Sequence, residues 1–532
     1  MGSPRQGIKD MPSICARLGM KHVIIAPGSR NAPLIISFTH NKEIIPLSIV
    51  DERSAGYFAI GIAQSCLRPV GIVCTSGTAA LNFMPAVAEA FYQNLPLIVF
   101  TADRPPEWID QADGQTIRQK DVFRNHVKQS FELPVETALD IDLWYNNRIV
   151  SQAIDLAMQP PRGPVHINVP LREPLYESLP PGNSNLQIIQ TTSLIDGIAE
   201  NALQKFRDKW KASPKKMIIA GFRHDSDALN EILAKLIVQQ DVVILAENLS
   251  NLNNPDFIYA PERLFAALNE DEKEAFRPDL LITIGNSIVS KRIKQYLRKY
   301  RPAEHWHVDK GNAYIDTFQS LKANIKSDPE DFFSLLLSEK KSSAKNSGYK
   351  DLFMKKEEKI QKKHDQFLEH VPFSDLKAFE AILNKVPEES NLHLSNSTAV
   401  RYAQFFRSRS GIKYFGNRGT SGIDGCISTA AGMSFAKDKS TTIITGDIAF
   451  IYDSGALWNN YLNKYFRIIV MNNGGGNIFR LIETGTEMEK AGVFFETRRG
   501  PRPGCRSLTA GSRPRSNHGR AQRCMVIIHQ FH

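Results

Sequence analysis

The chain has 532 residues, 42% of them hydrophobic and 23% charged, with a formal net charge of +10. That length exceeds one compact core, so two to four domains are expected. No apolar run of about 18 residues is present to span a membrane, and the N-terminal MGSPRQGIKDM lacks a signal-peptide core, so a cytoplasmic protein is expected. Eight of the ten surplus charges are arginines within 498–532, a stretch without Lys, Asp or Glu, so a nucleic-acid surface is not expected on the nearly neutral remainder. Cysteines at 15, 66, 74, 426, 505 and 524 show neither metal-ligand spacing nor a secreted disulfide framework.

In chain order, HVIIAPGSR, PLSIVDERS, PVGIVCTSG, PLIVFTADRP and PVHINVP each combine a short apolar run with a polar loop, and DERSAGYFAIGIAQ and GTAALNFMPAVAEAFYQN between them have helical patterns. Buried strands alternating with helices predict a parallel α/β sheet covered on both faces, with function gathered at the strands' carboxyl ends. SLPPGNSNLQ, 178–187, is a linker candidate. KMIIAGF, DVVILAE, LLITIGNS and HWHVD repeat the alternation to about residue 335. The charged, Ser-containing LSEKKSSAKNSGYKDL then leads into a helical region from about 350, followed by the strand candidates LHLSNS, TTIITGD and FRIIVMNN. The expected architecture is therefore three α/β blocks, at 1–180, 188–336 and 350–496, with a basic, Gly/Pro/Ser-rich tail at 497–532 that has no apolar periodicity.

Two strand-end loops carry the first chemical signal. TTIITGD puts Gly446 and Asp447 at the end of one apolar run, and MNNGGGN puts Asn473 and Gly475 at the end of the next, 26 residues after Asp447. A helix and a strand fit in that interval and return the second loop to the same end of the sheet. A carboxylate, a carboxamide oxygen and a glycine carbonyl are hard donors of the kind that Mg2+ shares with a substrate's phosphates, and glycines let backbone approach a ligand closely. GD, then about 26 residues, then NN is the thiamine diphosphate fingerprint. In enzymes of that class a buried glutamate meets the aminopyrimidine ring, and Glu52 of SIVDERSAGYF, where an apolar strand enters a helix, is the candidate. Burial raises such a carboxyl's pKa and fits it to share a proton; without that context, an acid at a helix start is ordinary dipole electrostatics. Ser29 and Arg30 (PGSRNAP), Arg104 (TADRPPEW), Gln115 (GQTIRQ), Lys291 and Arg292 (SKR), Ser397 and Arg401 (NSTAVR) and Arg418 (GNRGTSGIDG) also lie in strand-end loops. Several guanidinium groups around one cleft suit substrates with more than one carboxylate.

APGSRNAPL, DERSAGYFAIGIA, TSGTAALNFMPAVAEA, TADRPPEW, GQTIRQ, NRGTSGIDGCISTAAG and the GD…NN pair together resemble the 2-succinyl-5-enolpyruvyl-6-hydroxy-3-cyclohexene-1-carboxylate synthase (MenD) family, from about residue 8 to about residue 496. The resemblance implies a pyrimidine-binding, a central and a diphosphate-binding α/β domain, with thiamine diphosphate between the first domain of one subunit and the last of another, in a homodimer or dimer of dimers. It also implies decarboxylation of 2-oxoglutarate and conjugate addition of the resulting succinyl-semialdehyde carbanion to isochorismate, in menaquinone biosynthesis. By motif position, Glu52 is catalytic and Asp447, Asn473 and the Gly475 carbonyl hold Mg2+ or Mn2+. Ser421, Ile423 (the residue that props the bent cofactor) and Gly446 join the cofactor site. Ser29, Arg30, Arg104, Gln115, Lys291, Arg292, Ser397, Arg401 and Arg418 face the two dicarboxylate substrates.

The sequence departs from the family after GVFFETR, where the arginine-rich tail replaces the section that completes the last domain. This is the pattern of a frameshift or mis-called gene end, and the last domain is expected to be incomplete. The competing expectations are another thiamine diphosphate carboligase or decarboxylase, of the acetolactate synthase kind, and an inactive remnant whose basic tail binds anionic polymers.

Overall fold

The structure, a computed structural model, describes residues 5–176, 186–189, 191, 200–224, 226–311, 314–337, 347–437, 439–476, 478, 494, 497 and 524–529. Most of the linker candidate at 178–187 and most of the basic tail lie outside the described residues. The fold is α/β, with three parallel sheets flanked by helices. The chain forms two compact units: the first is built mainly from Met1–Ser193 and Asn417–Ile468, the second mainly from Leu194–Gly416.

The first unit holds β1 (His22–Ile25), β2 (Ile45–Ser48), β3 (Val70–Cys74), β4 (Leu97–Asp103), β5 (Ser130–Glu132) and β6 (Val165–Pro170), ordered β2-β1-β3-β4-β6-β5. Every pair is parallel, with His22 opposite both Ile45 and Val70. All residues of β3, β4 and β6 are buried, as in a sheet covered on both faces. The strand order reverses between β1 and β3, and in open α/β sheets ligands bind outside the carboxyl ends at such a point. There the PGSR and TSG loops touch: a Cβ on Gly28 would lie 2.4 Å from Thr75, and the Arg30 amide donates to the Thr75 hydroxyl at 3.3 Å.

The second unit holds β7 (Lys216–Ala220), β8 (Val242–Ala246), β9 (Leu280–Ile284), β10 (Glu304–Val308) and β11 (Ala323–Ile325), ordered β11-β10-β9-β7-β8. The two-residue period of a strand separates its two cores. Ile218, Ala220, Ile244 and Ile282 pack on one face, and Met217, Ile219, Val243 and Leu281 pack on the other. This unit also holds β12 (Asn391–Leu394) and β13 (Lys413–Phe415), paired in parallel. β14 (Thr441–Gly446) and β15 (Phe466–Asn472) follow, and β16 (Cys524–His529) lies within the basic tail.

Two strand histidines are fully enclosed. His166 of β6 lies 2.7 Å from the Thr101 hydroxyl, and burial pushes its pKa down to about 3; His393 of β12 is held down to about 3 by burial alone. Unfolding restores an ordinary imidazole near pH 6.5, so below that pH the unfolded chain binds more protons and stability falls with acidification. We predict that moving from pH 7 to pH 5 costs the wild type about 2 kcal/mol at His166 alone. His166→Gln should lose correspondingly less, as read by urea midpoints at the two pH values; an identical loss in both proteins would contradict it.

Candidate functional site

In the first unit, Glu52 is the first residue of the helix Glu52–Cys66, which Asp51 caps by accepting from the Arg53 amide at 3.0 Å and the Ser54 amide at 3.2 Å. The Glu52 carboxyl is half-buried; burial raises its pKa, a backbone hydrogen bond opposes the rise, and the negative charge of Asp51 adds to it. Arg53 reaches the Tyr452 carbonyl at 2.6 Å and stacks on the Tyr452 ring at 4.6 Å. A Cβ on Gly455 would collide with Asp51, 2.4 Å away. The 446–455 turn and the head of the Glu52 helix thus touch directly, with Gly446 closing β14 and Asp447 opening the short helix Asp447–Tyr452.

The GNRGTSGIDG loop, with Arg418, Ser421 and Ile423, is pinned from two sides within the same unit. The Glu89 carboxylate, fully buried, accepts from the Gly419 amide at 2.7 Å, the Thr420 amide at 2.6 Å and the Thr420 hydroxyl at 2.5 Å. The Tyr57 hydroxyl donates to Asp424 at 2.9 Å, and a Cβ on Gly425 would lie 2.0 Å from the Tyr57 ring. Ser421 sits at φ 64°, in the left-handed region, and is exposed; Ile423 and Arg418 are half-buried. Immediately after this loop, buried Asp453 accepts from the Ser428 amide at 2.8 Å and hydroxyl at 2.6 Å, and burial pushes its pKa up to about 7 against those bonds.

Arg30 and Arg104, read from sequence as substrate cations, already have partners. Arg30 is buried and donates to the Leu171 carbonyl and to Glu173, each at 3.0 Å, while its Nε is buried without one. Arg104 pairs with Asp113 at 3.0 Å and donates to the Gly114 carbonyl at 2.8 Å. That pair shapes the turn bearing exposed Gln115, at φ 55° against Gly77. Buried Gln119 ties the cluster together, accepting from the Gly77 amide at 3.2 Å and donating to the Ala102 carbonyl and Asn168 at 2.9 Å. Ser29 is exposed on the adjoining loop.

In the second unit, Lys291 and Arg292 are the first two residues of the helix Lys291–Lys299, both exposed, behind the N-cap Ser290. Buried Glu247, at the end of β8, accepts from the consecutive amides of Val289 and Ser290, each at 2.7 Å, which repeats the device Glu89 supplies in the first unit. Ser397, at φ 72°, precedes the helix Thr398–Ala403, which carries exposed Arg401 four residues later on the same face. Asn473 follows β15 and lies 3.5 Å from Asp375, whose pKa burial raises. Gly475 is buried. Glu89, Glu247, Asp453 and Gln119 were not read from the sequence. For the three acids the only sequence signal is a polar residue inside or ending an apolar run, as in AVAEAF and VVILAE, and Gln119, in GQTIRQKD, has none.

No group of three or more His, Cys, Asp or Glu side chains suited to a metal ion occurs among the described residues. The Asp–Asn–glycine carbonyl set is of a different kind, with hard oxygens throughout. A Cβ on Gly446 meets nothing within 4 Å among the described residues, leaving room beside the carboxyl end of β14.

The comparisons agree along most of the chain. Residues 6–129 match the model of the thiamine pyrophosphate enzyme N-terminal TPP binding domain, and residues 207–394 that of the middle domain of thiamine pyrophosphate enzymes. A protein of Flavobacterium psychrophilum named 2-succinyl-5-enolpyruvyl-6-hydroxy-3-cyclohexene-1-carboxylate synthase is 45% identical over 488 residues, 91% of this chain and 86% of its own. Proteins of the same name from Porphyromonas gingivalis and Cytophaga hutchinsonii are 39% and 36% identical over 93% of this chain, covering 87% and 88% of their own.

Glu89→Gln keeps one acceptor oxygen but loses the charge that serves two amides and a hydroxyl. We predict a loss of about 1–3 kcal/mol in stability, against less than about 0.5 kcal/mol for Glu43→Gln on the surface, by urea denaturation. Equal midpoints for the two variants would contradict the pinning role.

Proposed function

The chain belongs to the 2-succinyl-5-enolpyruvyl-6-hydroxy-3-cyclohexene-1-carboxylate synthase family, and on that premise we propose that it decarboxylates 2-oxoglutarate and adds the succinyl-semialdehyde unit to isochorismate, using thiamine diphosphate, in menaquinone biosynthesis. The observation that carries this reading is the Glu52 carboxyl, half-buried at a helix head with a raised pKa. A carboxyl whose charged form is disfavoured by burial is suited to hydrogen-bond the cofactor's aminopyrimidine and exchange a proton with it.

The residues present fit the cofactor and its metal. Asp447, Asn473 and the Gly475 carbonyl supply the hard oxygens that Mg2+ or Mn2+ prefers on a diphosphate, and Gly446, Ser421 and Ile423 are the remaining cofactor contacts. When bound, thiamine diphosphate supplies an acidic carbon and an electron sink for the carboxylate lost as carbon dioxide. Ser29, Arg30, Arg104, Gln115, Lys291, Arg292, Ser397, Arg401 and Arg418 orient the two dicarboxylates. Arg401, exposed and without an ion pair among the described residues, is the cation best placed to take one. Arg30 and Arg104 are held rigid by Glu173 and Asp113, so each presents a fixed direction to a ligand at little entropic cost. We further assign the pyrimidine-binding, central and diphosphate-binding parts to 1–180, 188–336 and 350–496, with self-association as a homodimer or dimer of dimers in the cytoplasm. No described helix is long and apolar enough to cross a membrane.

Incubation with thiamine diphosphate, Mg2+, 2-oxoglutarate and isochorismate should consume isochorismate and release carbon dioxide in equal amounts. Omitting the cofactor, or adding a chelator, should stop both. Carbon dioxide released from pyruvate with no use of 2-oxoglutarate would instead place the chain with the acetolactate synthase type.

A further inference from the structure

The first amides of an α-helix have no partner within it, and a side-chain oxygen at the N-cap commonly accepts from one of them. The helix Cys426–Ala436 has Gly425 at that place and so no side-chain cap of its own. Nothing larger fits there, because a Cβ on Gly425 would lie 2.0 Å from the Tyr57 ring. Asp453 supplies the acceptor from another element. Its carboxylate takes the Ser428 amide at 2.8 Å and the Ser428 hydroxyl at 2.6 Å, and the Ile427 amide further favours its charged form. A negative charge at this end also complements the helix dipole.

Asp453 belongs to the turn that begins with two proposed cofactor contacts, Gly446 and Asp447. It ends the short helix that Asp447 opens, donating its amide to the Ala449 carbonyl at 3.1 Å, and its own carbonyl accepts from the Ala456 amide at 3.1 Å. The helix it caps is entered by the loop that bears Ser421 and Ile423. One fully buried side chain thus ties the proposed diphosphate end of the site to the proposed prop of the cofactor. The head of the Glu52 helix brings two charged groups to this turn, Asp51 against Gly455 and Arg53 on the Tyr452 carbonyl, and Arg53 favours the Asp453 carboxylate. The capped helix brings the Cys426 thiol, β14 (TTIITG) brings no ionisable side chain, and Asp447 stands at the other end of the short helix. Burial outweighs the bonds and Arg53, so the carboxyl sits at a pKa of about 7.

We propose that Asp453 is a positioning residue for the cofactor: its carboxylate caps the helix Cys426–Ala436 from outside and so holds the Asp447 turn and the Ile423 loop in the arrangement that seats thiamine diphosphate. The inference rests on the reading above that Asp447, Ser421 and Ile423 contact that cofactor. Protonation turns one acceptor oxygen into a donor and removes the charge assistance that strengthens the cap. The seat then loosens, and cofactor affinity falls as the solution is acidified. The carboxyl is about nine-tenths ionised at pH 8 and about one-tenth at pH 6.

The test titrates thiamine diphosphate into the full chain in excess Mg2+ by calorimetry, at pH 6 and pH 8, for the wild type, Asp453→Asn, Ser428→Ala and the double variant. Asparagine keeps the size and one carbonyl acceptor but has no ionisable group. The ratio of dissociation constants, variant over wild type, cancels the ionisation of the cofactor and of Glu52. For Asp453→Asn it should be about ten at pH 8 and about two at pH 6. Ser428→Ala should bind about threefold more weakly at pH 8, and the double variant no more weakly than Asp453→Asn, since the two residues act as one cap. If melting curves show that Asp453→Asn does not fold, Ser428→Ala decides alone. A ratio near one, a ratio equal at both pH values, wild-type affinity in Ser428→Ala, or additive losses in the double variant would each overturn the proposal. A wild type that binds no thiamine diphosphate at about 1 mM overturns the proposed function as well, whereas binding with a ratio near one overturns this inference alone.

Discussion

The first unit depends on two glycines that allow two helices to meet backbone to backbone. A Cβ on Gly61 would lie 2.0 Å from the Thr429 carbonyl oxygen, and one on Gly432 would lie 2.0 Å from the Phe58 carbonyl oxygen. No side chain fits at either position, although mid-helix glycine costs about 1 kcal/mol relative to alanine. The helices Glu52–Cys66 and Cys426–Ala436 are thereby fixed in one relative placement. The Tyr57–Asp424 bond, the Gly425–Tyr57 contact and the Arg53–Tyr452 clasp all follow from it. Glu52 heads one of these helices and the GNRGTSGIDG loop enters the other, so the carboxyl proposed to share a proton and the loop proposed to prop the cofactor share one seat.

In each unit, loops with the proposed ligand residues are held by buried carboxylates rather than by structure of their own. Glu89 secures Gly419 and Thr420, Glu247 secures Val289 and Ser290, and Asp453 secures Ser428. A carboxylate that accepts two neighbouring amides satisfies backbone donors that a loop would otherwise leave bare, and charge-assisted bonds of this kind are stronger than neutral ones. The side chains proposed to face substrate can then stand exposed, as Lys291 and Arg292 do directly after Val289 and Ser290, on backbone held in place.

Much of the fold was legible in the sequence because central strands of parallel sheets are continuous apolar runs; β3, β4, β6, β7, β8 and β9 fall on the segments read as strands. β5 (SFE), β11 (ANI) and β13 (KYF) escaped, since three residues at or near a sheet edge carry too little periodicity to register. The family was legible because motifs such as PGSRNAP and NRGTSGIDG record local backbone and ligand geometry. The partners of Arg30 and Arg104 were not: Glu173 lies 143 residues from Arg30, and nothing in PGSRNAP announces it. Buried glutamates escaped for a related reason, because AVAEAF reads as a helix with one solvated charge until Glu89 is seen to face the 419–420 amides across 330 residues.

The most direct measurement is the rate of hydrogen–deuterium exchange at the C2 position of thiamine diphosphate bound to the wild type and to Glu52→Gln, followed by NMR after acid quench. Glutamine preserves the size of the side chain and its place at the helix head but cannot share a proton. Exchange should be suppressed at least a hundredfold in the variant, with cofactor affinity nearly unchanged. Exchange at the wild-type rate in Glu52→Gln, with the cofactor demonstrably bound, would remove Glu52 from the centre of the chemistry.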